Sequence, residues 1–183
     1  MQITGIILAG GKSTRMGTDK ALIQIAGKTL LERVIEVCRP ICSEIIISSN
    51  NPEHDKSGYQ IIPDEIHNCG PIGGIYSCLK KSETNWNFIV SVDTPFVTSD
   101  FIQFLAGQTE NCDVVVPVHS GEREPLIALY NKNCLRKVQK QIEHREYKMH
   151  HLIAKLNARY VDTFEWVGKT PLLFKNLNRP DDL

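Results

Sequence analysis

Short apolar runs alternate along this chain with segments of helical periodicity. The apolar runs predict strands at Ile3–Ala9, Glu44–Ser49, Tyr59–Pro63, Asn87–Val92, Asp113–Val118 and Leu126–Tyr130, with late short strands at Ala158–Phe164 and Leu172–Leu177. Helical spacing predicts helices at Thr29–Ile41, Ile72–Lys81, Ser99–Ala106 and Lys132–Leu156. This alternation is typical of βαβ units. We therefore expect one α/β domain spanning residues 1–183, built on a mostly parallel open sheet with helices on both faces.

Three polar clusters follow predicted strands directly: Gly10–Lys20, Asp64 and Asp93. In open α/β sheets, ligands bind outside the carboxyl ends of the strands, near the point where the strand order reverses. Because all three clusters fall at such ends, the sequence predicts that they line one binding site.

The first cluster begins with two adjacent glycines, Gly10 and Gly11, and then carries the cations Lys12, Arg15 and Lys20. It matches neither the P-loop template nor the dinucleotide fingerprint G-x-G-x-x-G. Consecutive glycines after a strand allow backbone N–H groups to face an anion, and lysine and arginine bind phosphate oxygens. The alternative is a tight turn with solvated cations, but three cations within ten residues favour phosphate binding.

The two aspartates allow two interpretations each. Asp93 follows a buried strand and precedes Pro95, so it either caps a turn or offers a single carboxylate to Mg²⁺, which takes its other oxygens from phosphate and water. Asp64 either contacts a base, a ribose or a ligand-binding loop, or is a surface turn residue. The small residues in Gly70–Gly74 open a helix, and they permit close approach either of a ligand or of neighbouring backbone.

Composition narrows the class of protein. Lysine plus arginine and aspartate plus glutamate number 21 each, so the chain has no charge excess that favours a nucleic-acid or membrane-surface partner. The sequence has no apolar run long enough for a membrane helix and no signal-peptide pattern, which favours a cytoplasmic protein with reduced cysteines. The six histidines show no ligand spacing, so the sequence gives them no role.

Five motifs in order resemble the molybdenum cofactor guanylyltransferases, the MobA family. They are LAGGKSTRMGTDKAL from Leu8, GPIGGI from Gly70, DTPF from Asp93, EPLIALY from Glu124 and NLNRPDDL from Asn176. The resemblance implies a Rossmann-like nucleotidyltransferase fold of the glycosyltransferase-A type. It also implies an enzyme that uses Mg²⁺ to transfer GMP from GTP to molybdenum-molybdopterin and releases pyrophosphate.

The resemblance also implies roles for individual residues. Leu8, Ala9 and Gly10 would contact the guanosine, and the nucleotide site would also include Gly11, Lys20, Asp64 and Asp93. Catalysis would depend on Arg15, Lys20 and Asp93, with Asp93 also holding the metal. Glu124, Asn176 and Asn178 would bind the acceptor. Proteins that insert molybdenum and chaperones of molybdoenzymes are the protein partners that it implies.

Some positions depart from the family pattern and leave alternatives open. Ser48 stands where family members often carry an asparagine that contacts the nucleotide, although Asn50 lies two residues further on. In the closing motif, Arg179 replaces the usual threonine, and the family's usual last helix does not follow. One alternative function is a cytidylyltransferase, or another nucleotidyltransferase with a phosphorylated acceptor; Gly10 argues against cytidylyl transfer, since those relatives tend to have alanine there. The other alternative is a non-catalytic nucleotide-binding regulatory domain.

Overall fold

The computed structural model describes residues 1–10 and 19–177. Its strands are β1 (Ile3–Leu8), β2 (Gln24–Ile25), β3 (Lys28–Thr29), β4 (Glu44–Ser48), β5 (Gln60–Ile62), β6 (Trp86–Ser91), β7 (Val114–His119), β8 (Glu122–Arg123), β9 (Ile127–Asn131) and β10 (Ala158–Asp162). Its α-helices are α1 (Leu30–Cys38), α2 (Pro71–Lys81), α3 (Ser99–Ala106), α4 (Leu135–Glu143), α5 (Met149–Ala154) and α6 (Phe164–Lys169). Short 3₁₀ turns occupy Lys20–Leu22, Pro52–Ser57 and Lys132–Cys134.

The main sheet has the strand order β10-β7-β9-β6-β1-β4-β5, with β8 paired to β7. The pairs β1–β4, β4–β5, β1–β6 and β7–β10 are parallel, which confirms the mostly parallel sheet. Strand β9 runs antiparallel to both β6 and β7. The chain builds outward from β1 through β4 and β5 and then returns to place β6 on the other side of β1. The strand order therefore reverses at β1, beside the predicted site.

Side chains of successive strand residues point to opposite faces of the sheet, and each face is covered by helices. Ile3 and Ile7 of β1 belong to the core that includes residues of α1 and α3. Ile6 and Leu8 belong to the core that includes residues of α2, α4 and α5. The helices on both faces confirm the α/β architecture that was expected. Within the described residues, no helix has the length and apolar character to cross a membrane.

Local signals explain where several helices begin. The Thr29 side chain accepts from the Glu32 N–H while Glu32 reaches back to the Thr29 N–H, a reciprocal cap that starts α1. The Thr98 side chain accepts from the Phe101 N–H and so caps α3. Pro71 occupies the first position of α2, where a missing N–H costs nothing.

The single helix predicted for Lys132–Leu156 is wrong. Helix α4 ends at Glu143, and Arg145 adopts a left-handed conformation with φ 58°. The N–H of Glu146 donates to the Gln141 carbonyl and that of Arg145 to the Ile142 carbonyl, which closes the helix as a Schellman motif. Arginine occupies the position where glycine is usual, so no residue type in the sequence marks this break.

Two late predictions also need correction. The strand predicted for Ala158–Phe164 ends at Asp162, and Phe164 begins α6. The strand predicted for Leu172–Leu177 does not form: residues 171–174 make a turn, and the N–H groups of Leu173 and Lys175 donate to carbonyls three residues earlier. Leu173 and Leu177 are buried in the core, so their apolar character serves packing rather than strand pairing.

Candidate active site

Four strand ends meet at one edge of the sheet and form a cleft of about 340 Å³. The Ala9 N–H donates to the Ser48 carbonyl, and the Val92 N–H donates to the Leu8 carbonyl. These bonds fix the ends of β4 and β6 on either side of the end of β1. The cleft is lined by Leu8, Ala9, Gly10, Asp19, Lys20, Ser48, Asp64, Gly70, Pro71, Gly74, Ser91, Val92, Asp93 and Leu126.

Asp93 lies just beyond β6, at the floor of this cleft. One carboxylate oxygen accepts from the Ser91 hydroxyl at 2.6 Å, and the other is 3.7 Å from the Lys20 Nζ. The Leu177 N–H donates to the Asp93 carbonyl at 2.7 Å and so fixes the backbone there. Within residues 1–10 and 19–177, the carboxylate caps no backbone N–H, which argues against the turn-cap interpretation.

Lys20 reaches Asp93 from the other side of the cleft. It begins the 3₁₀ turn Lys20–Leu22, which Asp19 caps by accepting from the Ala21 N–H at 2.9 Å. The side chains of Lys20 and Asp93 are 28% and 24% exposed, so the pair is partly shielded from solvent yet open to a ligand. A cation and a carboxylate at the strand ends are the charges that a metal-bound polyphosphate requires.

Asp64 follows β5 and faces the same cleft. Its N–H donates to Asn50 Oδ1 at 3.0 Å, and its Oδ1 accepts from the Ser48 hydroxyl at 3.4 Å. Burial raises the pKa of the Asp64 carboxyl above its ordinary value, and hydrogen bonds from Asn50 and Ser48 oppose that rise. Asp64 is therefore a cleft residue rather than a surface turn residue, and Ser48 and Asn50 both support it.

The small residues at the start of α2 serve close packing. A Cβ at Gly74 would lie 2.2 Å from the Ser48 Oγ, and a Cβ at Gly73 would lie 2.9 Å from the Ile66 carbonyl oxygen. Gly74 also lines the cleft. Close packing and a place at the ligand site therefore go together for Gly70–Gly74. The helix can approach Ser48 and Asp64 only where side chains are absent, and this close approach brings Gly74 to the cleft.

An adjoining cleft of about 560 Å³ extends this space along the loops after β4 and β5. It shares Ala9, Gly10, Asp19, Asp64 and Gly70 with the first cleft and adds Ser49, Asn50, Asn51, His67 and Asn68. Ligand pockets for small molecules are typically of this size. The two clefts together give room for a nucleotide beside Lys20 and Asp93.

On the far side of Asp93, β9 brings a third segment to the cleft. The Ser91 N–H donates to the Leu126 carbonyl, and the buried Tyr130 hydroxyl donates to the Pro125 carbonyl. Glu124 is half-buried; burial raises the pKa of its carboxyl, the Glu122 charge adds to that rise and His119 opposes it. Glu124 and the exposed Asn176 are not among the described residues that line the cleft itself.

Three predicted site residues, Gly11, Arg15 and Asn178, lie outside the described residues. The sequence predicted no role for Ser91, and it predicted none for Asp19 beyond membership of the cluster Gly10–Lys20. Ser91 is the last residue of the apolar strand β6, and its hydroxyl belongs to the site only because it donates to the Asp93 carboxylate. Asp19 directly precedes the turn that begins at Lys20. Aspartate is a preferred residue at the start of a helical turn, so its capping role could have been inferred from the sequence.

The donor set fits a divalent cation that arrives with its ligand. Within the described ranges, no group of three or more His, Cys, Asp or Glu side chains could hold a metal ion alone. Asp93 instead offers one carboxylate in a cleft with room for phosphate oxygens. This matches the way Mg²⁺ is bound in many phosphate-transferring sites, through one or two carboxylates, substrate phosphates and water.

Comparisons with known proteins find relatives over the whole length of this chain. One curated relative is a "Probable molybdenum cofactor guanylyltransferase" of Pelotomaculum thermopropionicum, which is 32% identical over 100% of this chain and 91% of its own length. Another is a "Molybdenum cofactor guanylyltransferase" of Vibrio parahaemolyticus, which is 34% identical over 100% of this chain and 93% of its own length. The crystal structure of molybdopterin-guanine dinucleotide biosynthesis protein A from Archaeoglobus fulgidus superposes with a TM-score of 0.83, at 25% identity over 98% of this chain and 94% of that one.

Another solved structure, with lower sequence identity, resembles this chain in fold alone. The 2-C-methyl-D-erythritol 4-phosphate cytidylyltransferase of Thermus thermophilus has a TM-score of 0.74 at 16% identity, covering 100% of this chain and 95% of that one. The family model for the MobA-like NTP transferase domain matches residues 5–160. That range holds the ends of β1, β4, β5 and β6 and therefore the whole cleft. The chain belongs to the MobA-like NTP transferase family of nucleotidyltransferases.

Proposed function

We propose that this protein transfers GMP from GTP to the phosphate of molybdenum-molybdopterin, giving molybdopterin guanine dinucleotide and pyrophosphate. The observation that carries the proposal is the Lys20–Asp93 pair, set in one cleft with Leu8, Gly10 and Asp64. It is supported by 32–34% identity, over nearly whole chains, to curated proteins named for this guanylyl transfer.

In this reaction an oxygen of the acceptor phosphate attacks the α-phosphorus of GTP. One P–O bond forms there, and the bond from the α-phosphorus to the bridging oxygen of the β-phosphate breaks, so that its electron pair leaves with pyrophosphate. The acceptor phosphate is already ionised at neutral pH, so the step requires no strong general base. Catalysis then rests on positioning and on stabilising the charge that builds up around the α-phosphate.

Lys20 supplies fixed positive charge beside that phosphate, and the Ser91 hydroxyl orients the Asp93 carboxylate. Asp93 would hold Mg²⁺, which supplies charge neutralisation of the triphosphate and leaving pyrophosphate when bound. Gly11 and Arg15 are proposed to contact the triphosphate, and we assign the acceptor to Glu124, Asn176 and Asn178.

The base would lie against the backbone of Leu8, Ala9 and Gly10, with Asp64 on the nucleotide side of the cleft. Gly10 favours GTP because its backbone leaves room beside the larger base. The presence of Lys20 and Asp93 favours catalysis over a purely regulatory nucleotide-binding role.

We further propose that residues 1–183 act as one domain in the cytoplasm. Molybdenum-insertion proteins would supply its acceptor substrate, and molybdoenzyme chaperones would receive its product.

The decisive test is to incubate the protein with Mg²⁺, molybdenum-loaded molybdopterin and each nucleoside triphosphate in turn, and to identify the dinucleotide by mass spectrometry. We expect the guanine dinucleotide with GTP. Formation of the cytosine dinucleotide instead, or no transfer with any nucleotide, would contradict the proposal.

The matched variant is Asp93→Asn, which keeps the oxygen that accepts from Ser91 and removes the negative charge. Its transfer rate should fall by several powers of ten, each worth about 1.4 kcal/mol of barrier, while its melting temperature stays close to that of the wild type. Activity within a few-fold of the wild type would remove Asp93 from the metal site.

A further inference from the structure

His54 is buried next to the active site, yet the reaction described above gives it no task. It lies in the 3₁₀ turn Pro52–Ser57 after β4 and is 1% exposed. Its Nδ1 is 2.7 Å from the Ser49 Oγ, and its Nε2 is 3.2 Å from the Asp19 Oδ2. Both ring nitrogens of a fully buried imidazole therefore face polar atoms, which a residue that only fills space does not require.

The neighbours of the ring determine how its protons are arranged. An ionised Asp19 carboxylate only accepts, so the nitrogen that faces it carries the proton in the neutral ring. Nδ1 then accepts from the Ser49 hydroxyl, whose oxygen in turn accepts from the Asn51 N–H at 2.9 Å. The Nε2–Oδ2 contact is close without being an aligned hydrogen bond, and within the described residues Nε2 has no other partner. The Asp19 carboxylate is thus the polar group that faces this buried nitrogen.

The carboxylate that His54 faces is the one that caps the Lys20 turn. Asp19 Oδ1 accepts from the Ala21 N–H at 2.9 Å, and Oδ2 also accepts from the Asn51 Nδ2 at 2.5 Å. The turn places the Lys20 Nζ at 3.7 Å from the Asp93 carboxylate. A continuous series of contacts therefore runs from the loop after β4, through Asp19 and the Lys20 turn, to Asp93 beyond the end of β6.

We propose that His54 is a positioning residue, which holds Asp19 and thereby sets the Lys20 ammonium beside the reacting phosphates. The inference rests on the proposed function for its kinetic consequence, but its structural part concerns only this chain. Because Asn51 and Ala21 also hold Asp19, removing the imidazole should displace Lys20 by a fraction of an ångström to about an ångström. A displacement of that size near the reacting atoms reduces turnover by up to a hundredfold.

The test uses His54→Ala, because His54 is one of the residues that line a surface groove of about 410 Å³, and truncating the ring should open a path from that groove to the vacated site. We expect kcat for nucleotidyl transfer to fall roughly ten- to a hundredfold, with a smaller change in KM for GTP. Added imidazole should restore part of kcat. Thiophene, which has a similar size but no ring nitrogens, should not.

Two further variants separate positioning from loss of stability. His54→Phe fills the site without nitrogens, so it should show the same fall in kcat and no recovery with imidazole. Leu152→Ala removes a buried side chain from the core on the α2, α4 and α5 face, away from His54, and should lower the melting temperature while leaving kcat unchanged. Wild-type kcat in both His54 variants, or equal recovery with thiophene and imidazole, would overturn the proposal.

A readout that does not depend on the reaction separates this inference from the proposed function. Reductive ¹³C-methylation labels lysines without removing their charge, and Lys20→Arg identifies the Lys20 signal in the NMR spectrum. That signal should shift in His54→Ala and return toward its wild-type position with imidazole. An unmoved signal would overturn the inference, whereas wild-type protein that transfers no GMP while the signal shifts would refute the proposed function alone.

Discussion

A methyl group added at Gly74 should damage both stability and nucleotide use. The new Cβ would lie 2.2 Å from the Ser48 Oγ and 3.3 Å from both the Ser48 Cβ and the Asp64 Oδ1. No real contact of a Cβ is as short as the first of these, so Ser48 must rotate or α2 must move by about an ångström. Rotation of Ser48 would break its hydrogen bond to Asp64, which is 3.4 Å long, and movement of α2 would change the wall of the cleft that Gly74 lines.

The expected size follows from three contributions. Overpacking costs about 1–3 kcal/mol, and losing the Ser48–Asp64 hydrogen bond costs about 1 kcal/mol. Replacing glycine by alanine inside a helix returns about 1 kcal/mol. The net loss of about 2 kcal/mol in the free energy of unfolding should lower the melting temperature by roughly 4–8 °C in a chain of this size.

The assay is thermal unfolding together with kcat/KM for GTP, which should fall by an order of magnitude or more because Ser48 and Asp64 line the cleft. Gly10→Ala is the matched control for stability. Its Cβ would lie 3.6 Å from the Ser48 carbonyl oxygen, an ordinary contact, so its melting temperature should hardly change. Adding Ser48→Ala to Gly74→Ala removes the clashing oxygen and should recover much of the lost stability. Wild-type stability and kinetics in Gly74→Ala, or no recovery in the double variant, would refute the steric argument.

Three other predictions test individual residues. Lys20→Ala should lower kcat roughly a hundredfold or more while shifting the free energy of unfolding by only about half a kcal/mol, and a collapse of the melting temperature would instead mark Lys20 as structural. Burial raises the pKa of Asp64, so its carboxyl favours folding below its ordinary pKa and loses that contribution as pH rises through the folded value. Asp64→Asn should therefore gain stability relative to wild type as the pH rises from the ordinary pKa of the carboxyl through its raised folded value, and a difference in urea denaturation that stays constant with pH would contradict this. Gly10→Ala should reduce the ratio of kcat/KM for GTP to that for CTP roughly ten- to a hundredfold, whereas an unchanged ratio would mean that the base is read elsewhere.

The sequence by itself determined the alternation of strands and helices and the position of the site. Apolar periodicity depends only on which residues face the core, so the strands that end before Gly10, Asp64 and Asp93 were predicted within one or two residues. Parallel strands place their carboxyl ends at one edge, which is why residues more than eighty positions apart could be assigned to one cleft.

Tertiary structure decided where local signals were absent or misleading. The segment 172–177 is as apolar as a strand, and only the burial of Leu173 and Leu177 shows that it packs against the core instead of pairing in the sheet. Arg145 ends α4 in a conformation that glycine usually takes, so no sequence signal marked the break. Strand β9 runs antiparallel between β6 and β7, an order set by pairing partners far apart in the chain.

The contacts between side chains within the site were also decided by the tertiary structure. No spacing rule joins Asp19 to His54, which lies in a loop after a different strand, or Ser48 to a glycine of α2. Such pairs form only when the sheet brings its strand ends together, because a buried polar atom takes whichever partner the fold places within reach. The sequence determined which residues stand at the cleft, and the packing of the strand-end loops decided which atoms hold them there.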